Sequence, residues 1–290
     1  MILITGATGN YGGLTIKHLL NKGVAANQIV ALVRDEAKAQ DLKDKGVELR
    51  IGDYDNVESL KTAFQGIDQL LFISASDVEK RLPQHENVME AAKAAGVGHI
   101  VYTSFERQNN TSSSPIAFVA EAHLRTEELL KESGISHTIL RNNLYMDFVP
   151  VFIGEQVLDQ KNIYLPAENG KAGFVLREDM AEATAQILVN EPQETQVLEF
   201  SNEENYSYQD VADAISKVTG TQINYTSPSV EEYTSTLLGL NVPEGYVHMF
   251  AGFAKAQADG ELAVSSTTIN DLLGRKATTL EEFVNTVYGK

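Results

Sequence analysis

The chain has 290 residues and carries 40 Asp and Glu against 23 Lys and Arg, a formal net charge of −17. That length buries a substantial core, as one large α/β domain or as a nucleotide domain with a smaller companion, and a field of this sign repels polyanions, which argues against nucleic acid as a partner. Cysteine is absent, so disulfides, iron–sulfur clusters, thiolate metal sites and a cysteine nucleophile are excluded together.

No apolar run is long enough to span a membrane, and no basic segment precedes the first apolar strand. A soluble, cytoplasmic chain without a signal peptide is therefore expected. The opening is the most informative stretch. A short apolar strand at 1–4 runs straight into Thr5, Gly6, Ala7, Thr8, Gly9, Asn10, Tyr11, Gly12 and Gly13. Glycines at 6, 9 and 12 let the backbone turn sharply and approach a diphosphate, and they open a helix whose N-terminus carries partial positive charge and free N–H donors. The spacing is Gly-x-x-Gly-x-x-Gly, not the Gly-x-Gly-x-x-Gly form, so the weight falls on context. A strand precedes, an amphipathic helix follows (Leu14, Ile16, Leu19, Leu20), and a second strand at 28–33 completes a unit of the right length. The plain alternative is a glycine-rich turn that holds no ligand.

Further strand-like runs at 47–51, 69–73, 99–103 and 137–140 alternate with helical periodicity at 36–45, 57–65, 83–95 and 117–133. This is the rhythm of a parallel sheet covered on both faces, and it predicts an α/β chain with a Rossmann-type doubly wound sheet. Beyond the strand ends stand Arg34-Asp35, Gly52-Asp53-Tyr54, Ser74-Ala75-Ser76 and Ser104-Phe105-Glu106. Ligands of open α/β sheets lie there. The polar run at 109–114 after the fifth strand is expected to be a mobile loop. After about residue 142 the rhythm loosens into helices at 178–190, 207–219, 229–238, 245–258 and 279–287 and short strands near 173–176, 197–200 and 222–225. The expected division is a dinucleotide domain at 1–145 with parts of 172–200, and a smaller, interleaved α+β lobe at 146–171 and 201–290.

Arg34 tells one nicotinamide coenzyme from the other. An acidic side chain at the end of the second strand accepts hydrogen bonds from a ribose, whereas a guanidinium pairs with a 2′-phosphate. Arg34 stands first after the apolar run and Lys38 follows one helical turn later, which favours NADP(H), with NAD(H) as the alternative. A surface ion pair at a helix start would explain the same residues. Asp53 could reach the adenine amino group or belong to a helix N-cap region.

Taken together, the opening Thr-Gly-Ala-Thr-Gly-Asn-Tyr-Gly-Gly, Val-Arg-Asp at the second strand end, Gly-Asp-Tyr-Asp after the third, and the Thr-Glu-Glu-Leu-Leu and Leu-Arg-Asn-Asn segments resemble the NmrA-like branch of the atypical short-chain dehydrogenases. Within it, the resemblance is to the group of NAD(P)H:quinone oxidoreductases and triphenylmethane reductases. It covers essentially the whole chain, with its specific motifs in the first half. It implies a two-domain reductase that binds NADPH, and neither flavin nor metal, and that acts on quinones or cationic dyes as a monomer or homodimer. It also implies cofactor contacts at Gly6, Thr8, Gly9, Asn10, Tyr11, Arg34, Asp53, Ser74, Ser76 and Thr103, to which the reading of the glycine loop and strand ends adds Gly12, Lys38 and Ala75 as candidates.

The wider superfamily carries Tyr-x-x-x-Lys, whose tyrosine exchanges a proton with a substrate hydroxyl. Here the corresponding stretch is Val119-Ala120-Glu121-Ala122-His123. Valine transfers no proton, so alcohol/ketone chemistry is disfavoured, while an acceptor that takes hydride and spreads its charge by resonance is not. His123 stands where the lysine would be and could bond the nicotinamide ribose or donate a proton; equally, it could be a satisfied helix histidine. Arg141, Asn142 and Asn143 could orient a substrate carbonyl or a carboxamide, or anchor the connection between lobes. Phe105, Tyr145 and Phe148 are candidates to contact a flat acceptor, with Tyr145 and Asn142 joining His123 as candidate catalytic groups. Phe152, Tyr246, His248, Phe250 and Phe253 continue the aromatic series, although such stripes more often belong to a core. Two other functions compete: a redox-sensing regulator that binds the dinucleotide without turnover, and a nucleotide-sugar epimerase, which the missing Tyr and Lys disfavour.

Overall fold

The computed structural model describes residues 1–190 and 194–289. The chain divides into two compact units: Met1–Phe105 with Val119–Asn142 and Arg177–Glu199, and Glu106–Phe118 with Asn143–Leu176 and Phe200–Lys290.

The first unit is built on strands β1 (Ile2–Ile4), β2 (Ile29–Val33), β3 (Glu48–Ile51), β4 (Gln69–Phe72), β5 (His99–Phe105) and β6 (Ser136–Asn142). With the later strand, Gln196–Phe200, they form one sheet in which β3, β2, β1, β4, β5 and β6 lie side by side and the later strand follows β6. The paired registers from β3 across to β6 are all parallel. β1, β2 and β5 are buried along their whole length, which is why β1 and β2 read as unbroken apolar runs and β5 carries the apolar stretch at 100–102 between buried polar residues. On one face, Leu3, Val30, Leu70, Phe72, Ile100, Tyr102 and Ile139 pack with Leu60, Val88, Met89, Ala92 and Leu130 from the helices Val57–Ala63, Arg81–Ala95 and Ala117–Ser133, and with Phe64 at the end of the first of these. Tyr11 on helix Asn10–Asn21 reaches Thr184 on helix Arg177–Val189, oxygen to oxygen at 2.9 Å, and so ties these two helices together.

The second unit departs further from the pattern. Residues 173–176 form no strand: Val175 makes an isolated bridge to Tyr145, and Ala172 just before them makes another to Tyr206. Short strands Asn162–Tyr164 and Asn224–Thr226 pair in parallel. The helices Val149–Ile153, Val157–Gln160 and Thr268–Leu273 are also additions to the expected list. The loop at 109–114 is held down: Gln108 N donates to Glu261 O at 2.9 Å, Asn109 Nδ2 to Glu261 Oε1 at 2.9 Å and Ser114 Oγ to Glu261 Oε2 at 2.6 Å. Among the described residues no helix is long and apolar enough to cross a membrane.

Candidate functional site

Thr5 directly follows β1, and its buried hydroxyl donates to Leu71 O at 3.1 Å and accepts from Ile73 N at 2.8 Å, locking the ends of β1 and β4 together. Gly6 follows with φ of 57°, left-handed backbone in which a side chain is strained. Its carbonyl accepts from Gly9 N at 2.9 Å and closes the turn. A Cβ on Gly12 would stand 2.4 Å from that same carbonyl oxygen, so glycine is what lets the helix start this close to the strand. Gly9 is the N-cap of helix Asn10–Asn21, and no side chain caps the first amides. Those N–H groups, with the helix dipole behind them, suit an anion. Gly6, Thr8, Gly9 and Asn10 are exposed around them. The cradle therefore fits a diphosphate: its donors are main-chain amides and the space over Gly9 is free of side chain. Tyr11 does not join it through its ring, which is buried with its hydroxyl on Thr184.

At the end of β2, Asp35 accepts from Ala37 N at 3.0 Å and caps the short turn that follows. Arg34 and Lys38 are exposed, and among the described residues neither forms an ion pair, which removes the surface-pair explanation of Arg34. Two exposed cations follow the end of β2, the strand next to β1, in a chain whose net charge is −17. Asp53 is not the helix cap; Asn56 is, accepting from Ser59 N at 3.1 Å, while Asp53 Oδ1 accepts from Asp55 N at 3.1 Å.

Beyond β4, Ser74 N donates to the buried Thr103 hydroxyl at 2.9 Å, and Ala75 is clamped by helix Arg81–Ala95: its N–H donates to His85 Nε2 at 3.0 Å and its carbonyl accepts from Arg81 Nε at 2.7 Å. Ser76 next to it is exposed. His85 then carries its proton on Nδ1, 2.8 Å from Thr126 Oγ1. Burial, helped by the Arg81 charge, pushes this imidazole down to about 3. It is neutral when folded and titrates normally when unfolded, so its contribution is whole above about pH 6.5 and declines as pH falls toward 3. The maximal slope is about 1.4 kcal/mol per pH unit. A His85→Gln variant is expected to show a flatter loss of stability between pH 6 and pH 4 in urea titrations, whatever its stability at pH 7; an unchanged slope would contradict this.

His123 is buried, with Nδ1 2.7 Å from the Tyr102 hydroxyl and Nε2 3.4 Å from Arg81 Nη1. A guanidinium only donates, so Nε2 accepts and Nδ1 donates to the phenol. Both ring nitrogens are thus engaged, and the geometry favours the satisfied helix histidine over the proton donor. The Phe105 ring lies 6.1 Å from this imidazole. At the ends of β5 and β6, Ser104 Oγ donates to Glu127 Oε1 at 2.6 Å and Arg141 Nη2 to Glu127 Oε2 at 2.7 Å. Asn142 is 2 % exposed, and neither Nδ2 nor Oδ1 has a hydrogen-bond partner.

Asn143 belongs to the second unit and is paired on both side-chain atoms: Nδ2 donates to Ser201 Oγ and Leu262 O, each at 3.0 Å, and Oδ1 accepts from Leu144 N at 2.8 Å. These partners all lie within the second unit, so the side chain holds that unit's own backbone together and not a connection between lobes. In the same unit Tyr145 and Phe148 lie edge to face at 6.2 Å, and Phe148 is 40 % exposed. Phe152 contacts Phe250 at 5.3 Å and Phe253 at 6.0 Å, while Tyr246 stacks on Phe250 and is 57 % exposed. With Phe148 and Tyr246 exposed, these are two partly open aromatic groups and not a closed core. His248 sits at the surface with Glu244, 3.3 Å away.

Arg81 and His85 escaped the sequence reading. Their i, i+4 spacing within the buried stripe of Arg81, His85, Val88, Met89 and Ala92 was the available signal, since polar groups on an apolar helix face are there to hold something. Among the described residues no three His, Asp or Glu side chains gather as a metal-binding group.

The NmrA-like family profile matches residues 1–284. Quinone oxidoreductase 2 of Escherichia coli is 36% identical over 288 residues, 99% of each chain. The solved structure described as NADPH-dependent quinone oxidoreductase from that organism, complexed with NADPH, superposes with a TM-score of 0.93 at 36% identity over the whole of both chains. The triphenylmethane reductase of Citrobacter sp., solved with NADP(H), gives 0.90 at 37% identity over 99% of each chain.

Proposed function

This chain belongs to the NmrA-like family, and from that premise we propose that it is an NAD(P)H-dependent oxidoreductase that prefers NADPH and reduces quinones or comparable conjugated acceptors. The observation that carries the reading is the uncapped helix start at Gly9 beside the unpaired Arg34, a diphosphate site and a phosphate site on adjacent strand ends. Amides of the loop from Gly6 to Gly12, with Thr8 and Asn10 at its rim, hold the diphosphate. Arg34 and Lys38 neutralise the 2′-phosphate. Asp53 keeps one carboxylate oxygen available for adenine, and the clamped turn of Ser74, Ala75 and Ser76 with Thr103 fixes the floor of the site.

When bound, the reduced coenzyme supplies the hydride. The chain's part is orientation, which accounts for most of the rate when no proton relay is built in. Val119 carries no exchangeable proton, and His123 spends both nitrogens on Tyr102 and Arg81. The product proton therefore comes from solvent, which suits an acceptor whose anion is stabilised by resonance. Within the second unit Tyr145 and Phe148 form an edge-to-face aromatic pair with Phe148 exposed.

Mixing the purified protein with NADPH and a small benzoquinone tests this directly. Loss of nicotinamide absorbance well above the uncatalysed rate is expected, with simple ketones left unreduced. No oxidation above background, with dinucleotide still bound, would favour the regulator.

A further inference from the structure

We propose that the side-chain amide of Asn142 is the docking group for the carboxamide of the nicotinamide ring, pairing with it amide to amide. The assignment rests on the coenzyme reading above and adds to it a residue, an atom pair and a specificity.

A buried side-chain amide with no partner on either atom is rare, because desolvated donors and acceptors that stay unpaired are costly. Asn142 is such a group, 2 % exposed with both Nδ2 and Oδ1 unmatched. Its neighbour of identical chemistry, Asn143, is paired on both atoms: both Nδ2 hydrogens and Oδ1 have partners. The contrast lies in placement. Asn142 is the last residue of β6, at the carboxyl edge of the sheet where ligands of this fold lie. Arg141 turns to Glu127 on helix Ala117–Ser133, so strand alternation turns Asn142 to the opposite face.

Position along the sheet selects which part of the coenzyme arrives there. With the 2′-phosphate at Arg34 on the β2 edge and the diphosphate over β1, the nicotinamide half runs the other way, across β4 and β5 toward β6. Chemistry selects the group. A quinone or a phosphate offers acceptors only and would leave Oδ1 unmatched. A carboxamide brings one donor and one acceptor, and satisfies both atoms of Asn142 at once.

Calorimetric binding of three compounds tests the pairing without turnover: NADP+, its acetylpyridine analogue, in which a methyl replaces the amide nitrogen, and 2′-phospho-ADP-ribose, which lacks the ring. Wild type is expected to bind NADP+ at least about 10-fold more tightly than the acetylpyridine analogue, since the latter leaves Oδ1 without a donor. In Asn142→Leu that ratio is expected to fall to within about 2-fold, through weaker NADP+ binding, while 2′-phospho-ADP-ribose binds both proteins alike. A wild-type ratio near unity overturns the assignment even if the variant does not fold, as does a ratio that survives in Asn142→Leu. Failure of wild type to bind any of the three overturns the coenzyme reading and this assignment with it; binding of 2′-phospho-ADP-ribose with no discrimination between the other two overturns this assignment alone.

Discussion

Gly9→Val is expected to abolish dinucleotide binding while leaving the protein folded. Gly9 has φ of −86° and ψ of 171°, extended backbone that valine adopts readily, and an added Cβ would lie 3.2 Å from the Gly6 oxygen, a contact relieved by a shift of a few tenths of an ångström. The cost to stability is therefore small, about 1 kcal/mol. The branched side chain, however, covers the first amides of helix Asn10–Asn21, which nothing else caps. Losing two charge-assisted bonds at about 1.5–3 kcal/mol each raises the dissociation constant by roughly two to four decades. Thermal unfolding separates the two effects. Without ligand the variant should melt close to wild type, and the upward shift that saturating NADP+ gives wild type should vanish. Gly12→Ala should do the reverse of the first part: its Cβ would meet the Gly6 oxygen at 2.4 Å, backbone against backbone, so about 1–3 kcal/mol of stability goes before any question of ligand arises. If Gly9→Val binds NADP+ as wild type does, the loop is only a turn.

How much of this was legible in the sequence depended on how locally each feature is determined. β2 and β5 read correctly because burial on both faces makes an apolar run visible without knowledge of its neighbours. The segment at 173–176 reads the same way, Gly-Phe-Val-Leu, yet its backbone finds only single bridges, and its burial comes from irregular packing around Phe174 and Val175. Asn162–Tyr164 and Asn224–Thr226 are three residues each, too short for any period to show. In the candidate site, the glycine loop and Arg34 were legible because their chemistry is carried by backbone geometry and formal charge. The adjacent asparagines were not separable. Both are buried amides at the end of β6, and only the register of that strand decides that Asn143 is consumed by Ser201, Leu262 and Leu144 while Asn142 is left with none. His123 failed to declare itself for the same reason: its two partners come from β5 and from helix Arg81–Ala95, distant in sequence.

Arg34→Asp should convert a phosphate-selecting site into one that rejects phosphate. Arg34 is exposed, follows the last residue of β2 and has no carboxylate partner among the described residues, so the guanidinium is free to take a 2′-phosphate in two parallel bonds, with Lys38 adding a second charge a turn away. Aspartate there removes that attraction and sets one anion against another. The dissociation constant for NADPH is expected to rise by about 100-fold, two decades being the worth of about 2.7 kcal/mol. NADH, which carries hydroxyls in place of the phosphate, should change by less than about 3-fold and in the favourable direction, because a carboxylate at this strand end accepts from the ribose. Salt provides the independent check. Wild-type affinity for NADPH should fall more steeply with ionic strength than affinity for NADH, since only the former includes an exposed ion pair, and the two slopes should converge in the variant. Equal losses for both coenzymes would place Arg34 outside the binding site, and the preference for NADPH would then have to come from elsewhere in the chain.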